Sequence, residues 1–300
     1  MSIRKKLSSQ FYFLQWMWNT RTLRKGFPKY RVLSLDETII KIITEKTSIS
    51  RFGDGEFRLT LPDYALVFQD GGEEVRKRLK EVLKSEEKSH LVCLPFGHFN
   101  DFDLPTKYWW YKFLNVYGNK ISPFIPVQKT YGTTFISRFY IGFSDKSEKR
   151  IKKIVSLLKK IWENQDVLII EGQFSRLGVG NNLFDNAKSL QRIICPPKNA
   201  FSNYNEIFEA TKKYGKDKLI LLALGPTATI MSYDLAKEGL WALDVGHIDI
   251  EYMWFLMKAN DKMPVIGRHV NEANEQESLE IPKEFKEKYL KSIVLEIKEQ

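Results

Sequence analysis

Two cysteines, Cys93 and Cys195, are all that the chain of 300 residues contains. They cannot form a disulfide framework, and both read as reduced structural thiols of a cytosolic protein. The four histidines, His90, His98, His247 and His269, show no HxxxH-type or Cys/His spacing, so a structural zinc site is not expected. No GxxxxGK followed by Ser or Thr occurs, which removes the P-loop NTPases, and no repeat, linker or low-complexity tract interrupts the chain. Acidic residues are missing from the first 35 positions, where Arg4, Lys5, Lys6, Arg21, Arg24, Lys25, Lys29 and Arg31 gather.

What is present is a globular composition: 43% apolar residues, with 20 Phe, 13 Tyr and 7 Trp. A formal charge of +10 favours anionic partners, among which nucleic acid, acidic lipid and nucleotide phosphates all qualify. Part of that excess flanks the aromatic stretch Phe11-Tyr12-Phe13-Leu14-Gln15-Trp16-Met17-Trp18. The stretch is too short to span a bilayer, and Gln15 with no cleavage site after it argues against a signal peptide. Residues 1–35 therefore read as a basic, aromatic N-terminal extension, either a helix packed on the domain or a peripheral contact with an anionic membrane surface.

From position 37 helical and extended patterns alternate. Helical spacing covers Glu37–Lys46, Glu73–Glu87, Pro105–Tyr117, Lys146–Glu163, Tyr204–Lys213 and Thr227–Glu238. Continuous apolar runs at Leu91–Leu94, Asp166–Glu171, Ile193–Cys195, Leu219–Leu224 and Ala242–Val245 are the kind buried on both faces. This alternation predicts an α/β fold, Rossmann-like, with a largely parallel sheet and helices on both faces. Its body is expected at 36–275, followed by a charged C-terminal helix at 276–300. Ligands of such sheets bind beyond the carboxyl ends of the strands.

Four loops at predicted strand ends hold the chemically capable residues. In Arg51-Phe52-Gly53-Asp54-Gly55-Glu56-Phe57 two carboxylates separated by one glycine can reach one hard cation, Mn²⁺ or Mg²⁺, with Arg51 beside its phosphates. Asp-x-Glu alone also reads as a turn with a solvated acid, and Asp249-Ile250-Glu251 repeats it. Arg176, Gly178, Gly180 and Asn181 follow the Asp166–Glu171 strand, where the backbone can approach phosphate or ribose; the dinucleotide fingerprint is incomplete. Gly225-Pro226-Thr227 opens a helix whose N–H groups can cap or bind an anion. The last loop concentrates Asp244, His247, Asp249 and Glu251, from which a general base or a further metal ligand can come.

Arg51–Phe57, Gly178-Val-Gly-Asn181, Ile194-Cys-Pro196 with Asn199-Ala-Phe201, Leu224–Thr229 and Gly246-His-Ile-Asp-Ile-Glu-Tyr252 occur in that order. Together they resemble the GT-D glycosyltransferases, a bacterial family associated with glucosylation of serine-rich surface adhesins and with glycan assembly. The resemblance, over roughly residues 35–275, implies a GT-D-type fold and a UDP-sugar donor. It also implies a divalent metal on Asp54 and Glu56. The chemistry of the loops, rather than the resemblance, places the nucleotide against Arg51, Arg176, Gly178, Gly180, Asn181, Gly225 and Thr227, with Asp249, Glu251 or His247 as catalytic groups. The expected reaction moves a hexose, glucose or galactose, to a hydroxyl of a surface glycan or glycoprotein on the cytoplasmic side. The other readings are a non-catalytic membrane-associated scaffold and a nucleic-acid-binding protein; no RNP, KH or helix-turn-helix signature supports the latter.

Overall fold

The computed structural model describes residues 11, 14, 18, 26–97, 99–273 and 278–299. Of the basic N-terminal stretch, only Phe11, Leu14 and Trp18 are described before position 26; they are helical and exposed. The expectation of membrane contact through residues 1–35 thus falls mostly outside the described residues. Among the described residues no helix is long and apolar enough to cross a membrane.

Nine strands form one sheet in the order β1-β4-β3-β2-β8-β7-β5-β6-β9, and every pairing is parallel. They are β1 Arg31–Val32, β2 Ser48–Arg51, β3 His90–Leu94, β4 Thr130–Thr133, β5 Asp166–Gly172, β6 Ser189–Cys195, β7 Leu219–Ala223, β8 Ala242–Asp244 and β9 Ile293–Glu296. Helices α1 Leu35–Glu45, α2 Asp54–Leu59, α3 Glu73–Leu83 and α4 Leu104–Ile121 belong to the first half. The second half supplies α5 Glu148–Trp162, α6 Tyr204–Gly215, α7 Pro226–Lys237, α8 Ile248–Leu256 and α9 Lys283–Ser292.

Alternating residues of the strands feed different cores, as a pleated strand buried on both faces requires. Val167, Ile169, Leu219, Leu221 and Leu243 pack with Ile39 and Ile42 of α1, with Ile151, Ile154 and Leu158 of α5, and with Trp254 of α8. Leu168, Ile170, Ile220 and Leu222 face the opposite way, against Ile207 of α6 and Met231 and Leu235 of α7. On that face of the first half, an aromatic core gathers Phe52, Phe57, Phe96, Trp110, Phe113 and Tyr131.

Local chemistry starts the helices where it should. Ser34 accepts from the Glu37 N–H while Glu37 Oε2 accepts from the Ser34 N–H, closing a capping box on α1. Ser147 caps α5, and Pro226 sits in the first turn of α7. The tail departs from the expected single helix: after α9 the chain turns into β9, which pairs with β6 and closes that edge of the sheet. At the other edge β1 draws Arg31 and Val32 into pairing with β4.

The chain runs β2, β3, β4 towards one edge and then crosses to the other half. The sheet's switch point therefore lies between β2 and β8, which are neighbours. Arg51 ends β2 and Asp244 ends β8.

Candidate active site

At the switch point Arg51 grips Asp244. Arg51 Nη2 stands 2.7 Å from Asp244 Oδ1 and its Nε donates to the Asp244 carbonyl at 2.8 Å. The other carboxylate oxygen accepts from the Arg51 backbone N–H and from Thr229 Oγ1. Gly246 makes room for this: its φ is +42°, and a Cβ there would lie 1.9 Å from Arg51 Nη2.

Immediately after β2 the Asp54-Gly55-Glu56 stretch is helical, not a loop, and opens α2. Glu56, at the third helical position, folds back to accept the Gly53 N–H at 2.8 Å, one half of a capping box. Residues two apart on a helix do not face each other. Accordingly Asp54 turns to Arg58, 3.2 Å away, and lies within the field of Arg138, while Glu56 looks towards Asp244 and Arg51. Burial and then the negative charge of Asp244 push the Glu56 carboxyl up to about 7, despite Arg51. It is a carboxylate short of positive charge.

Arg138, just beyond β4, is a second guanidinium near the switch point. It holds Glu272 bidentately, at 2.7 and 2.6 Å, and feels the charges of Glu251 and Asp54 as well. Burial would raise the Glu272 carboxyl, but Arg138 holds it well below the usual range. His247 lies in the fields of Arg138 and Arg51; burial, helped by Arg138, pushes it down to about 3, so its imidazole is neutral, and Nδ1 has no partner. Glu251 is buried in the first turn of α8. One of its oxygens accepts the Tyr140 and Ile141 N–H groups at 2.7 and 2.9 Å, and the other is unpartnered. Burial raises its pKa against the pull of Arg138.

The remaining residues singled out in the sequence lie in two other clusters. Asp249 is buried against Arg268 Nε at 2.5 Å, and accepts the Gly178 N–H at 2.8 Å and the Asn181 side-chain amide at 2.7 Å. It latches the Gly178–Asn181 turn, Gly180 included, onto α8. Arg176 donates to the carbonyls of Gly267 and Leu279. The N-terminus of α7 lies under the segment between α2 and α3. Phe68 rests on Gly225, whose φ is +56° and where a Cβ would come within 2.8 Å of the ring. Thr227 Oγ1 meets Gln69 Oε1 at 3.0 Å, and Asp70 pairs with Asn199.

The structure thus brings Arg51, Asp54, Glu56, His247 and Glu251 around Arg138 and Asp244, and places Arg176, Gly178, Gly180, Asn181 and Asp249 beside Arg268. Arg138 and Glu272 escaped the sequence reading. Arg138 follows the short strand Thr130–Thr133, which has neither an apolar run nor a glycine-rich end to flag it.

Guanidinium groups and carboxylates gathered at the switch point of a parallel sheet are the chemistry that a phosphate-bearing ligand would meet. The family described as glycosyltransferase GT-D fold matches residues 49–273, and the chain belongs to that family. It is 40% identical over 262 residues to "Glycosyltransferase GlyD" of Streptococcus pneumoniae serotype 4, covering 86% of this chain and 32% of that protein. To "Probable glycosyl transferase Gly" of Streptococcus gordonii it is 37% identical over 254 residues, 83% of this chain and 36% of that one. The chain therefore spans about a third of the length of these relatives. A solved structure described as "The highly conserved domain of unknown function 1792 has a distinct glycosyltransferase fold" superposes with a TM-score of 0.83 at 37% identity, covering 90% of this chain and 96% of that one.

Proposed function

We propose that this chain is a metal-dependent hexosyltransferase that moves glucose or galactose from a UDP-sugar to a hydroxyl of a glycan or glycoprotein on the cytoplasmic side of the membrane. The observation that carries the reading is the pair of carboxylates, Asp54 and Glu56, that open α2 directly after β2 at the switch point, next to the Arg51–Asp244 pair.

The donor set suits a hard divalent cation. Asp54 and Glu56 offer only oxygen, and because they diverge along α2 they would supply few of the ion's ligands, leaving most of its shell to groups from outside the protein. Mn²⁺ and Mg²⁺ in such sites take their remaining ligands from phosphate and water. When bound, the ion supplies positive charge to the departing diphosphate.

The protein's own groups do the rest. In transfer, a bond forms between the acceptor oxygen and the anomeric carbon. The bond from that carbon to the diphosphate breaks, and UDP leaves with the electron pair. Arg138, fixed in orientation by Glu272, presents a guanidinium to the growing negative charge, and Arg51, fixed by Asp244, presents another. Neutral His247 is available to hydrogen-bond a hydroxyl of the bound sugar. In an inverting reaction the acceptor proton passes to a carboxylate. Of the two candidates Glu251 keeps an unpartnered oxygen, whereas both oxygens of Asp249 are engaged.

The test is consumption of UDP-glucose and UDP-galactose with and without EDTA. Chelation should abolish turnover of the accepted donor and added Mn²⁺ should restore it; undiminished turnover in EDTA would refute the metal role.

A further inference from the structure

Beside Asp54 lies a surface that the transfer chemistry above does not use. Arg58, one helical turn beyond Asp54 and paired with it, has its guanidinium carbon 5.7 Å from the ring centre of Trp109 and 5.8 Å from that of Tyr117. Its Nε is buried without a partner. Tyr64, from the segment after α2, closes the group: its ring meets Tyr117 edge-on at 5.8 Å, and the two hydroxyls are 3.3 Å apart. Three aromatic rings and one guanidinium thus form a wall that begins at Asp54.

Packing alone does not account for this wall. The buried side of α4 is Trp110, Phe113 and Ile121, and it is Trp110 that engages Phe96 and Phe135 in the aromatic core. Trp109 is turned about 100° away from Trp110 on the helix, and 44% of it is exposed. Val116, a turn or two along the same side of α4, is 47% exposed. Isolated exposed aromatics are common. Here an indole stands over a charged group that is itself paired with a residue of the reaction centre.

The chemistry of the wall selects its ligand. A pyranose ring carries an apolar face of axial C–H groups and a rim of hydroxyls. Flat aromatic rings with polar tips bind the first, and Arg and Tyr donors bind the second. A polypeptide serine or threonine offers no such face. We propose that Trp109, Arg58, Tyr117 and Tyr64 form the acceptor subsite, and that it holds the terminal pyranose of a glycan with the accepting hydroxyl directed towards the Asp54 end. The proposal rests on the transferase reading of the preceding subsection.

The experiment separates the two. With the full chain, Mn²⁺ and the accepted UDP-hexose, slow donor hydrolysis is measured without acceptor. Transfer is then measured to p-nitrophenyl β-glucoside, to p-nitrophenyl N-acetyl-β-glucosaminide and to a serine-rich peptide. The wild type should glycosylate at least one glycoside and leave the peptide unmodified. Trp109→Ala should keep the wild-type hydrolysis rate and melting temperature, because the indole is half exposed, yet raise the glycoside KM about tenfold with kcat little changed. Trp109→Phe should recover most of the affinity. An unchanged glycoside KM in Trp109→Ala, a wild-type enzyme that accepts no glycoside, or one that prefers the peptide would overturn the subsite. Absence of any donor cleavage by the wild type would instead refute the transferase reading, and the subsite with it.

Discussion

Asp54→Asn and Glu56→Gln will each lower hexose transfer by about a hundred- to a thousandfold, at saturating Mn²⁺, in protein that melts with the wild type. The size follows from the role. Removing one preorganised hydrogen-bond donor from an oxyanion hole costs about 2.7–4 kcal/mol of barrier, and losing a ligand of the cation that serves the departing diphosphate is expected to cost a similar amount. The stability expectation follows from the local contacts. Glutamine at position 56 retains an oxygen to accept the Gly53 N–H, so α2 keeps its start. It also removes a negative charge that burial and Asp244 oppose, so the fold loses nothing by the change. Asp54 gives up only a partly exposed pair with Arg58, the kind of contact worth at most about 1 kcal/mol. Near-normal transfer in both variants, measured beside their melting curves, would remove the motif from the site.

The largest stability loss will come from Asp249→Ala. Asp249 and Arg268 are both buried, and the carboxylate also holds the Gly178 N–H and the Asn181 amide. Truncation strands Arg268 in the interior and frees the turn it secures. Breaking a buried pair by removing one partner costs about 3–5 kcal/mol. In a domain of this size that lowers the melting temperature on the order of 10 °C. Glu251→Gln, two residues on, will cost much less stability, since an amide oxygen still accepts from Tyr140 and Ile141. Calorimetry on the two variants checks the contrast. Equal melting temperatures would show that Asp249 is no latch.

These two variants also show how far the sequence could be read. The central strands were legible because DVLIIE and LILLAL are apolar at every position, the pattern of burial on both faces. The gathering of chemistry at their carboxyl ends followed from topology. Strands β1, β4 and β9 were not legible, being short, polar or attached to a charged helix. Nor was the helical state of Asp54–Glu56 and Asp249–Glu251. Gly55 made the first resemble a loop, and a loop suggests that neighbouring carboxylates converge. On a helix they diverge, which sends Glu251 towards Arg138 and Asp249 towards Arg268. Arg138 was invisible for a related reason: its position depends on the pairing of β4 with β3, to which no local pattern points.

The most direct measurement is a calorimetric titration of UDP into the wild type and into Asp54→Ala/Glu56→Ala, each with and without Mn²⁺. The account predicts that Mn²⁺ tightens UDP binding at least tenfold in the wild type and that the double variant loses this gain while staying folded. Equal UDP affinity with and without Mn²⁺ in the wild type, or an undiminished gain in the double variant, would contradict it.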